Sequence, residues 1–154
     1  MKIAYLILAH KNPRHLQRLI NALQYDNTAF FIHVDAKVNN LDEFKLFKSF
    51  DNVYFIKRRV DVQWGAYSMI KATLNGLEEI VQSNIGCDYI SLISGQDYPI
   101  KKNKEIHDFF TMNKGKEFLH FSKFPTGELP DGGMERIEYY YNYDNQCSCF
   151  LHNR

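Results

Sequence analysis

The feature that most constrains this chain is a regular alternation of short apolar runs with segments whose apolar residues recur every three or four positions. Short runs rich in β-branched and aromatic residues are typical of buried β-strands, and the longer spacing is typical of amphipathic helices. Strands are predicted at residues 3–8, 29–34, 53–56, 89–93 and 117–121. Helices are predicted at residues 13–23, 41–50, 67–82 and 106–112, and residues 126–133 are predicted to form a loop.

Strands that alternate with helices predict an α/β fold in which a mostly parallel sheet carries helices on both faces. The chain has 154 residues, which is enough for one sizeable core but too few for two ordinary domains. The longest predicted helix has one apolar face, formed by Ile70, Leu74, Leu77 and Val81. One compact α/β unit is therefore expected.

The charge and hydropathy of the chain exclude some partners. Its 19 basic and 18 acidic side chains leave a formal net charge of +1, so no strong field favours a nucleic acid or an anionic membrane. No stretch approaches the roughly 20 apolar residues that a membrane span requires, and the first apolar run is not followed by a signal-peptide cleavage site. We expect a cytoplasmic protein with no nucleic-acid partner, no transmembrane segment and at most peripheral contact with a membrane.

The cysteines favour a reducing compartment. Cys87, Cys147 and Cys149 are an odd number, and the last two are separated by one residue, which is too close for an unstrained disulfide. Cys147, Cys149 and His152 could supply three metal ligands, but no second paired cluster lies near them in the sequence. Plain thiols are the favoured interpretation.

Polar residues follow the apolar runs at the points where the predicted strands end. In an open α/β sheet the ligand crevice lies beyond the carboxyl ends of the strands, so these residues should converge on one rim. In chain order they are His10, Asp35, Lys37, Arg58, Arg59 and the segment from Ser94 to Asp97.

Two interpretations of Asp35 stay open. Its carboxylate could accept hydrogen bonds from a base or a ribose, or it could cap the N-terminus of the segment that follows. His10 and His33 also lie at strand ends, where a backbone partner would satisfy them. Neither histidine is expected to act as a catalytic base.

Two further segments could belong to a site. Trp64, the only tryptophan, precedes Gly65 just before the N-terminus of the longest predicted helix. A glycine there allows the backbone to approach a ligand closely. A buried tryptophan that anchors the helix is the alternative. The segment from Ser94 to Pro99 combines a glycine, an amide, an acid and a rigid proline. A purely structural turn would explain each of these residues alone, but it explains their combination less easily.

Four blocks of this sequence resemble one known family. They are AYLILAHKNP at residues 4–13, IHVDAK at 32–37, WGAYS at 64–68 and LISGQDYPIK at 92–101. In order and spacing they are similar to the core-2/I-branching β-1,6-N-acetylglucosaminyltransferases, a family that also includes the peptide O-xylosyltransferases. Glu135-Arg136, followed by tyrosines, resembles the acceptor-side segment of that family more loosely.

The resemblance implies a GT-A-like, Rossmann-type fold without the DxD metal motif, and an inverting transfer from a UDP-sugar to a hydroxyl of a glycan or peptide. N-acetylglucosamine and xylose both remain open as the sugar. The donor-binding positions are then Ala9, His10, Asp35, Lys37, Trp64, Ser94, Gly95, Gln96 and Asp97. The acceptor-side positions are Glu117 and Arg136, together with Tyr139 and Tyr141, whose rings could pack on a pyranose.

The sequence departs from the family in two ways. The family's catalytic glutamate lies in an SPDE-like segment far downstream, and its diphosphate-binding basic residues lie later still; neither occurs in these 154 residues. The resemblance therefore implies an N-terminal portion, with a donor domain at 1–125, the start of an acceptor-side segment at 126–154 and no catalytic residue. A nucleotide- or carbohydrate-binding module without catalysis is the alternative. Full-length eukaryotic relatives are expected to be Golgi membrane proteins.

The residues themselves favour transfer without a metal cofactor. Charge developing on a diphosphate leaving group is neutralised either by a divalent metal held between two carboxylates or by fixed basic side chains. Asp35 is followed two residues later by Lys37 rather than by a second acid. Asp61 or Asp97 could still contribute, but the pattern predicts cationic stabilisation and no required metal.

Overall fold

The computed structural model describes residues 1–44, 50–140 and 151–152. The first part of the chain contains β1 (Ile3–Ala9), α1 (Pro13–Leu23), β2 (Thr28–Val34) and β3 (Val53–Phe55). It continues with α2 (Tyr67–Gln82), β4 (Tyr89–Ser94) and α3 (Asn103–Met112). The remaining elements are a 3-10 turn at Pro130–Gly133, α4 (Glu135–Glu138), β5 (Tyr139–Tyr140) and β6 (Leu151–His152).

The main sheet has four strands in the order β3-β2-β1-β4, and all three neighbouring pairs are parallel. Ile3 at the start of β1 is in register with Thr28 of β2 and with Tyr89 of β4. The short strands β5 and β6 form a separate antiparallel pair. The prediction of a mostly parallel α/β sheet is therefore confirmed.

Helices cover both faces of the sheet, as predicted. On one face Tyr5 of β1 stacks on Phe30 of β2, with ring centroids 5.6 Å apart. Leu16, Leu19 and Ile20 of α1 pack into the same buried cluster, and Ile106 and Phe110 of α3 border it. The opposite face of the sheet packs against α2. The buried cluster between them consists of Ala4, Leu6, Ala29, Phe31 and Ile56, together with Ile80 of α2.

The helix α2 meets the sheet mainly through small residues. Its buried positions are Ser68, Ala72, Gly76 and Ile80. A Cβ atom at Gly76 would lie 2.5 Å from Cδ1 of Leu6, so the glycine lets the helix approach the sheet closely. An apolar stripe normally faces the core, yet the stripe seen in the sequence is largely turned outward: Ile70, Leu74 and Val81 are 56%, 52% and 72% exposed.

Two predicted elements differ from the structure. The strand predicted at residues 117–121 is wrong, because this segment has no regular secondary structure and all of its residues are exposed. Phe118 instead packs its ring beside Phe109 and Phe110 of α3, and no neighbouring strand within the described residues holds the segment in a sheet. Of the helix predicted at 41–50, residues 41–44 form a 3-10 turn and residues 45–49 lie outside the described residues.

In residues 1–44, 50–140 and 151–152, no helix combines the length and the apolar character that crossing a bilayer requires.

Candidate functional site

A cavity of about 650 Å³ lies at the carboxyl ends of β1, β2 and β4. Its polar lining residues are His10, His33, Asp35, Lys37, Ser94 and Asp97, and Trp64 lies at its rim. Its apolar walls are Leu8, Ala9, Val38, Val62, Met69, Leu92 and Ile93. Strand-end residues from β1, β2 and β4 therefore converge as expected, and the cavity brings together seven of the nine predicted donor-side residues. Arg58 and Arg59, which follow β3 and were expected at the same rim, do not line the cavity.

The sheet topology explains why the cavity opens at this point. The chain runs outward from β1 through β2 to β3 and then returns to pair β4 with the other side of β1. At such a reversal of strand order the flanking helices lie on opposite faces, which leaves a crevice at the strand ends.

Gly95 and Gln96 are the two predicted donor-side residues that do not line the cavity. Gly95 is buried and its N–H donates to Leu8 O at 2.8 Å. A Cβ atom there would lie 3.0 Å from the Ala9 Cβ, so the glycine lets the end of β4 close against β1. Gln96 accepts a hydrogen bond from Asn12 Nδ2 at 3.2 Å. This bond connects the loop after β4 to the residue that precedes α1.

Asp35 forms part of the cavity wall and is only 5% exposed. Its backbone N–H donates to Ala9 O at 2.8 Å, and its carboxylate Oδ1 accepts the backbone N–H of Lys37 at 2.9 Å. Residues 36–40 are not helical. The carboxylate therefore stabilises a tight turn at the end of β2 instead of capping a helix, and it does so at a position that borders the cavity.

Lys37 places an ammonium group between two carboxylates. Its Nζ lies 3.4 Å from Asp35 Oδ2 and 3.1 Å from Asp61 Oδ1, and it also donates to Val62 O. Desolvation acts to lower the pKa of Lys37, but the hydrogen bond and charge of Asp61 and the charge of Asp35 outweigh it and raise that pKa. A fixed cation therefore lies at the edge of the cavity, with Asp61 engaged as its partner.

Asp97 and Ser94 shape the loop after β4. The Asp97 carboxylate accepts the Ser94 N–H at 2.8 Å, and the Ser94 hydroxyl accepts the Gln96 N–H at 3.1 Å. Both carboxylates that line the cavity, Asp35 and Asp97, are thus bonded to backbone N–H groups of their own turns. They present preformed hydrogen-bond acceptors to a ligand.

The two strand-end histidines differ. His33 is 1% exposed and its Nε2 accepts the backbone N–H of Val60 at 3.0 Å, which makes it a backbone-satisfied residue as expected. Burial lowers the pKa of His33, so the ring that lines the cavity is neutral at physiological pH. His10 is exposed at the mouth.

Trp64 is 90% exposed, so the alternative of a buried anchor for the helix is wrong. The next residue, Gly65, has a φ of 77°, a left-handed conformation that favours glycine. That turn leads into α2 and leaves the indole at the cavity rim, where its face is available to a flat or apolar ligand group.

Potential metal ligands do not cluster in the part of the chain that the structure describes. No group of three or more His, Cys, Asp or Glu side chains there is arranged to hold an ion. Cys87 is an unpaired, half-buried thiol whose pKa is raised by burial. Cys147 and Cys149 lie outside the described residues, and independence from metal stays a prediction.

The predicted acceptor-side residues do not reach this cavity. Glu117 and Arg136 are exposed and Tyr139 is half-buried, and none of them lines the cavity. Tyr141 lies outside the described residues. The predicted donor-side residues thus lie largely around one cavity, whereas Glu117, Arg136 and Tyr139 lie outside it.

Sequence reasoning missed part of the site. Val38, Val62 and Met69 line the cavity. Val38 and Val62 lie in loops whose path no periodicity predicts, and Met69 lies in the first turn of α2, where the sequence pattern does not indicate that it borders a cavity. Arg59 follows the third predicted strand, but the sequence does not predict its partners. Its guanidinium bonds to the backbone of the β2 turn, a contact that only the folded chain reveals.

A parallel α/β sheet with a cavity at the reversal of its strand order is the arrangement of nucleotide-binding α/β proteins. Residues 3–143 match the family model described as Core-2/I-Branching enzyme. The chain therefore belongs to the core-2/I-branching enzyme family, as the four sequence blocks indicated.

The relatives of this chain are named as glycosyltransferases. It is 30% identical over 142 residues to the human N-acetyllactosaminide beta-1,6-N-acetylglucosaminyl-transferase, covering 89% of this chain and 34% of that protein. It is 30% identical over 123 residues to dog xylosyltransferase 2, covering 77% of this chain and 14% of that one. A beta-1,3-galactosyl-O-glycosyl-glycoprotein beta-1,6-N-acetylglucosaminyltransferase of bovine herpesvirus 4 is 29% identical over 144 residues, covering 90% of this chain and 31% of that protein. The chain thus spans about a third or less of the length of these relatives.

Proposed function

We propose that this chain is the donor-binding part of an inverting, metal-independent glycosyltransferase with a GT-A-like fold. The donor is a UDP-sugar that carries N-acetylglucosamine or xylose, and the acceptor is a hydroxyl group of a glycan or peptide. Residues 1–125 bind the donor, and residues 126–154 begin the acceptor side. Membership of the core-2/I-branching family supports this assignment.

The observation that carries the proposal is the cavity at the strand ends with Asp35 in its wall. Its volume of about 650 Å³ is in the range of ordinary small-molecule sites, roughly 300–1,000 Å³. A fixed carboxylate at this position accepts hydrogen bonds from the N–H of uracil or from ribose hydroxyls, and such charge-assisted bonds are stronger than neutral ones.

Two other residues suit the rest of the donor. The exposed indole of Trp64 offers an apolar face at the rim, on which a base or the C–H face of a sugar can pack. The ammonium of Lys37 lies at the same edge, paired with Asp35 and Asp61, and it can stabilise a diphosphate by exchanging the exposed Asp61 carboxylate for phosphate oxygens. Because this cation belongs to the chain, we expect binding to need no divalent metal.

Isothermal titration calorimetry of the chain with UDP tests the proposal. We expect saturable 1:1 binding, weaker binding of ADP, and a UDP affinity that is the same with an excess of chelator as with added Mn²⁺. A tenfold or greater loss of affinity in chelator would contradict metal independence alone. Equal affinities for ADP and UDP, or no binding of either, would contradict the nucleotide assignment.

A further inference from the structure

The turn that follows β2 carries three cavity-lining residues and is held by one side chain outside the cavity. Asp35, Lys37 and Val38 all line the cavity. Arg59 Nε donates to Val34 O at 2.8 Å, and its Nη2 donates to Asp35 O at 2.6 Å and to Val38 O at 2.8 Å. One guanidinium therefore bonds to three carbonyl groups of the segment that presents the Asp35 carboxylate.

The geometry of these bonds is specific to arginine. A guanidinium is planar and carries its donors in a rigid fork, so one group can bridge several carbonyl oxygens at fixed angles. A lysine at position 59 would retain the charge, but its single ammonium at the end of a flexible stem cannot reproduce the fork. Arg59 is also partly buried, which reduces the competition of water for these bonds.

Other bonds tie the same two segments together. Ala36 N–H donates to Val60 O at 2.9 Å, and Val60 N–H donates to His33 Nε2 at 3.0 Å. On the other side of the turn, the Asp35 N–H is bonded to Ala9 O of β1 at 2.8 Å. The backbone of Asp35 is thus fixed from both neighbouring segments before any ligand arrives.

We infer that Arg59 is a positioning residue for nucleoside recognition: it sets the orientation of the Asp35 carboxylate without contacting the ligand. The inference rests on the proposed function, in which Asp35 accepts hydrogen bonds from uridine. It differs from two other roles for Arg59. A direct or long-range charge effect would act on the diphosphate, and a purely structural role would change stability without changing the affinity of folded molecules.

Affinities for uridine and UDP separate these roles. Both ligands are titrated into the unaltered chain, into Arg59→Lys and into the control Arg58→Met, at a temperature where circular dichroism shows each titrated protein to be folded. Arg58 is the matched control because it is the adjacent arginine and its guanidinium pairs with Glu78 at 2.5 Å, away from the cavity lining. The same titrations are repeated with Asp35→Asn and with Asp35→Asn combined with Arg59→Lys.

Positioning predicts that Arg59→Lys weakens uridine and UDP by the same factor, about tenfold or more, because both ligands depend on the Asp35 carboxylate. In the Asp35→Asn background the second substitution should then cost less than about threefold, since the oriented carboxylate is already gone. Arg58→Met should bind like the unaltered chain. Wild-type affinities in Arg59→Lys would overturn the inference, and so would a loss confined to UDP, which would assign Arg59 to the diphosphate.

Hydrogen exchange on the unaltered chain gives a test that no folding defect can obscure. The amides of Ala36, Lys37 and Val38 are bonded to Val60 O, Asp35 Oδ1 and Asp35 O. A preformed turn predicts that they exchange slowly without ligand and that saturating UDP slows them by less than about threefold. Fast exchange that becomes slow only with UDP would overturn the inference. Failure of the unaltered chain to bind UDP or uridine would overturn the proposed function and this inference with it.

Discussion

The carboxyl edge of the sheet carries the predicted donor-side residues, the segment after α3 carries the predicted acceptor-side residue Glu117, and these two regions are held very differently. At the sheet edge, backbone hydrogen bonds join the ends of β1, β2 and β4 to one another and to the loop after β3. Between α3 and the 3-10 turn, residues 114–125 are all exposed, and Leu119 and Phe121 are 78% and 89% exposed. A ligand at the sheet edge therefore meets groups that backbone hydrogen bonds hold in place, whereas the later segment contacts the rest of the described chain mainly through the Phe118 ring and the pair of Lys114 with Asp88. This contrast predicts a chain that binds a donor without completing the reaction.

The largest expected effect is on transfer itself. The 154-residue chain should bind UDP and yet transfer no sugar, because the catalytic glutamate that the family resemblance implies, in an SPDE-like segment, does not occur in the sequence. General-base assistance typically contributes about 10²–10⁴ in rate. Among the described residues, the carboxylates that line the cavity are Asp35 and Asp97, and both are engaged with backbone N–H groups. Radiolabelled UDP-N-acetylglucosamine and UDP-xylose, offered with β-galactosyl and peptide acceptors, provide the assay.

The human relative is the positive control for that assay. Turnover by the short chain at a rate comparable with the control would show that the acceptor side is complete within these residues, and would erase the contrast between the two regions. UDP binding without turnover would agree both with the donor-binding part of a transferase and with a non-catalytic binding module.

The next effect compares one acid from each region. Asp35→Ala should weaken UDP binding by about 1–3 kcal/mol, roughly 5- to 150-fold, because it removes a charge-assisted hydrogen bond. Glu117→Ala, in the exposed segment after α3, should leave UDP affinity unchanged. Calorimetry gives both affinities, and thermal melting checks that each variant is folded. An Asp35→Ala chain that loses stability but binds UDP normally would show that the carboxylate only stabilises its turn.

A smaller effect is expected from the lysine at the cavity edge. Lys37→Met should weaken UDP by about 0.5–1 kcal/mol, a two- to fivefold change, because an exposed ion pair contributes little and the lost charge borders a diphosphate. Uridine, which has no phosphate, should bind almost unchanged. Lys116→Met in the later segment is the matched control and should have no effect on either ligand. An equal loss for uridine and UDP would mean that Lys37 acts by orienting Asp35 instead.

The sequence predicted those features that follow from chain order and strand ends. Parallel strands place their carboxyl ends at one edge, so Asp35, Ser94 and Asp97 could be assigned to a common rim without knowledge of any side-chain contact. The outward stripe of α2 and the missing strand at 117–121 could not be predicted in the same way. Burial of an apolar stripe depends on what lies opposite: Leu6 already fills the space beside Gly76. An alternating segment becomes a strand only when a neighbouring edge pairs with it.

The smallest expected effect concerns pH and compares two histidines at opposite ends of β2. His33 lies at the carboxyl end beside the cavity, whereas His107 of α3 is hydrogen-bonded to Thr28 at the start of β2, at 3.3 Å. Burial lowers the pKa of both. Below the ordinary histidine pKa of about 6.5, the unfolded chain therefore binds more protons than the folded one, and the free energy of unfolding falls as the pH falls.

Both histidines should thus contribute to a loss of stability between pH 7.5 and 5.5, but only His33 should couple that loss to the ligand. Protonation of its Nε2 removes the acceptor of the Val60 N–H and loosens the loop that Arg59 joins to the turn of Asp35. Urea unfolding at the two pH values should show a smaller pH dependence in His33→Asn and in His107→Asn than in the unaltered chain. Uridine is the ligand for this comparison, because the terminal phosphate of UDP itself titrates at about pH 6. Uridine affinity should weaken with acidity in the unaltered chain and in His107→Asn, but not in His33→Asn. An equal pH dependence of uridine binding in all three proteins would mean that the bond from Val60 to His33 does not support the cavity.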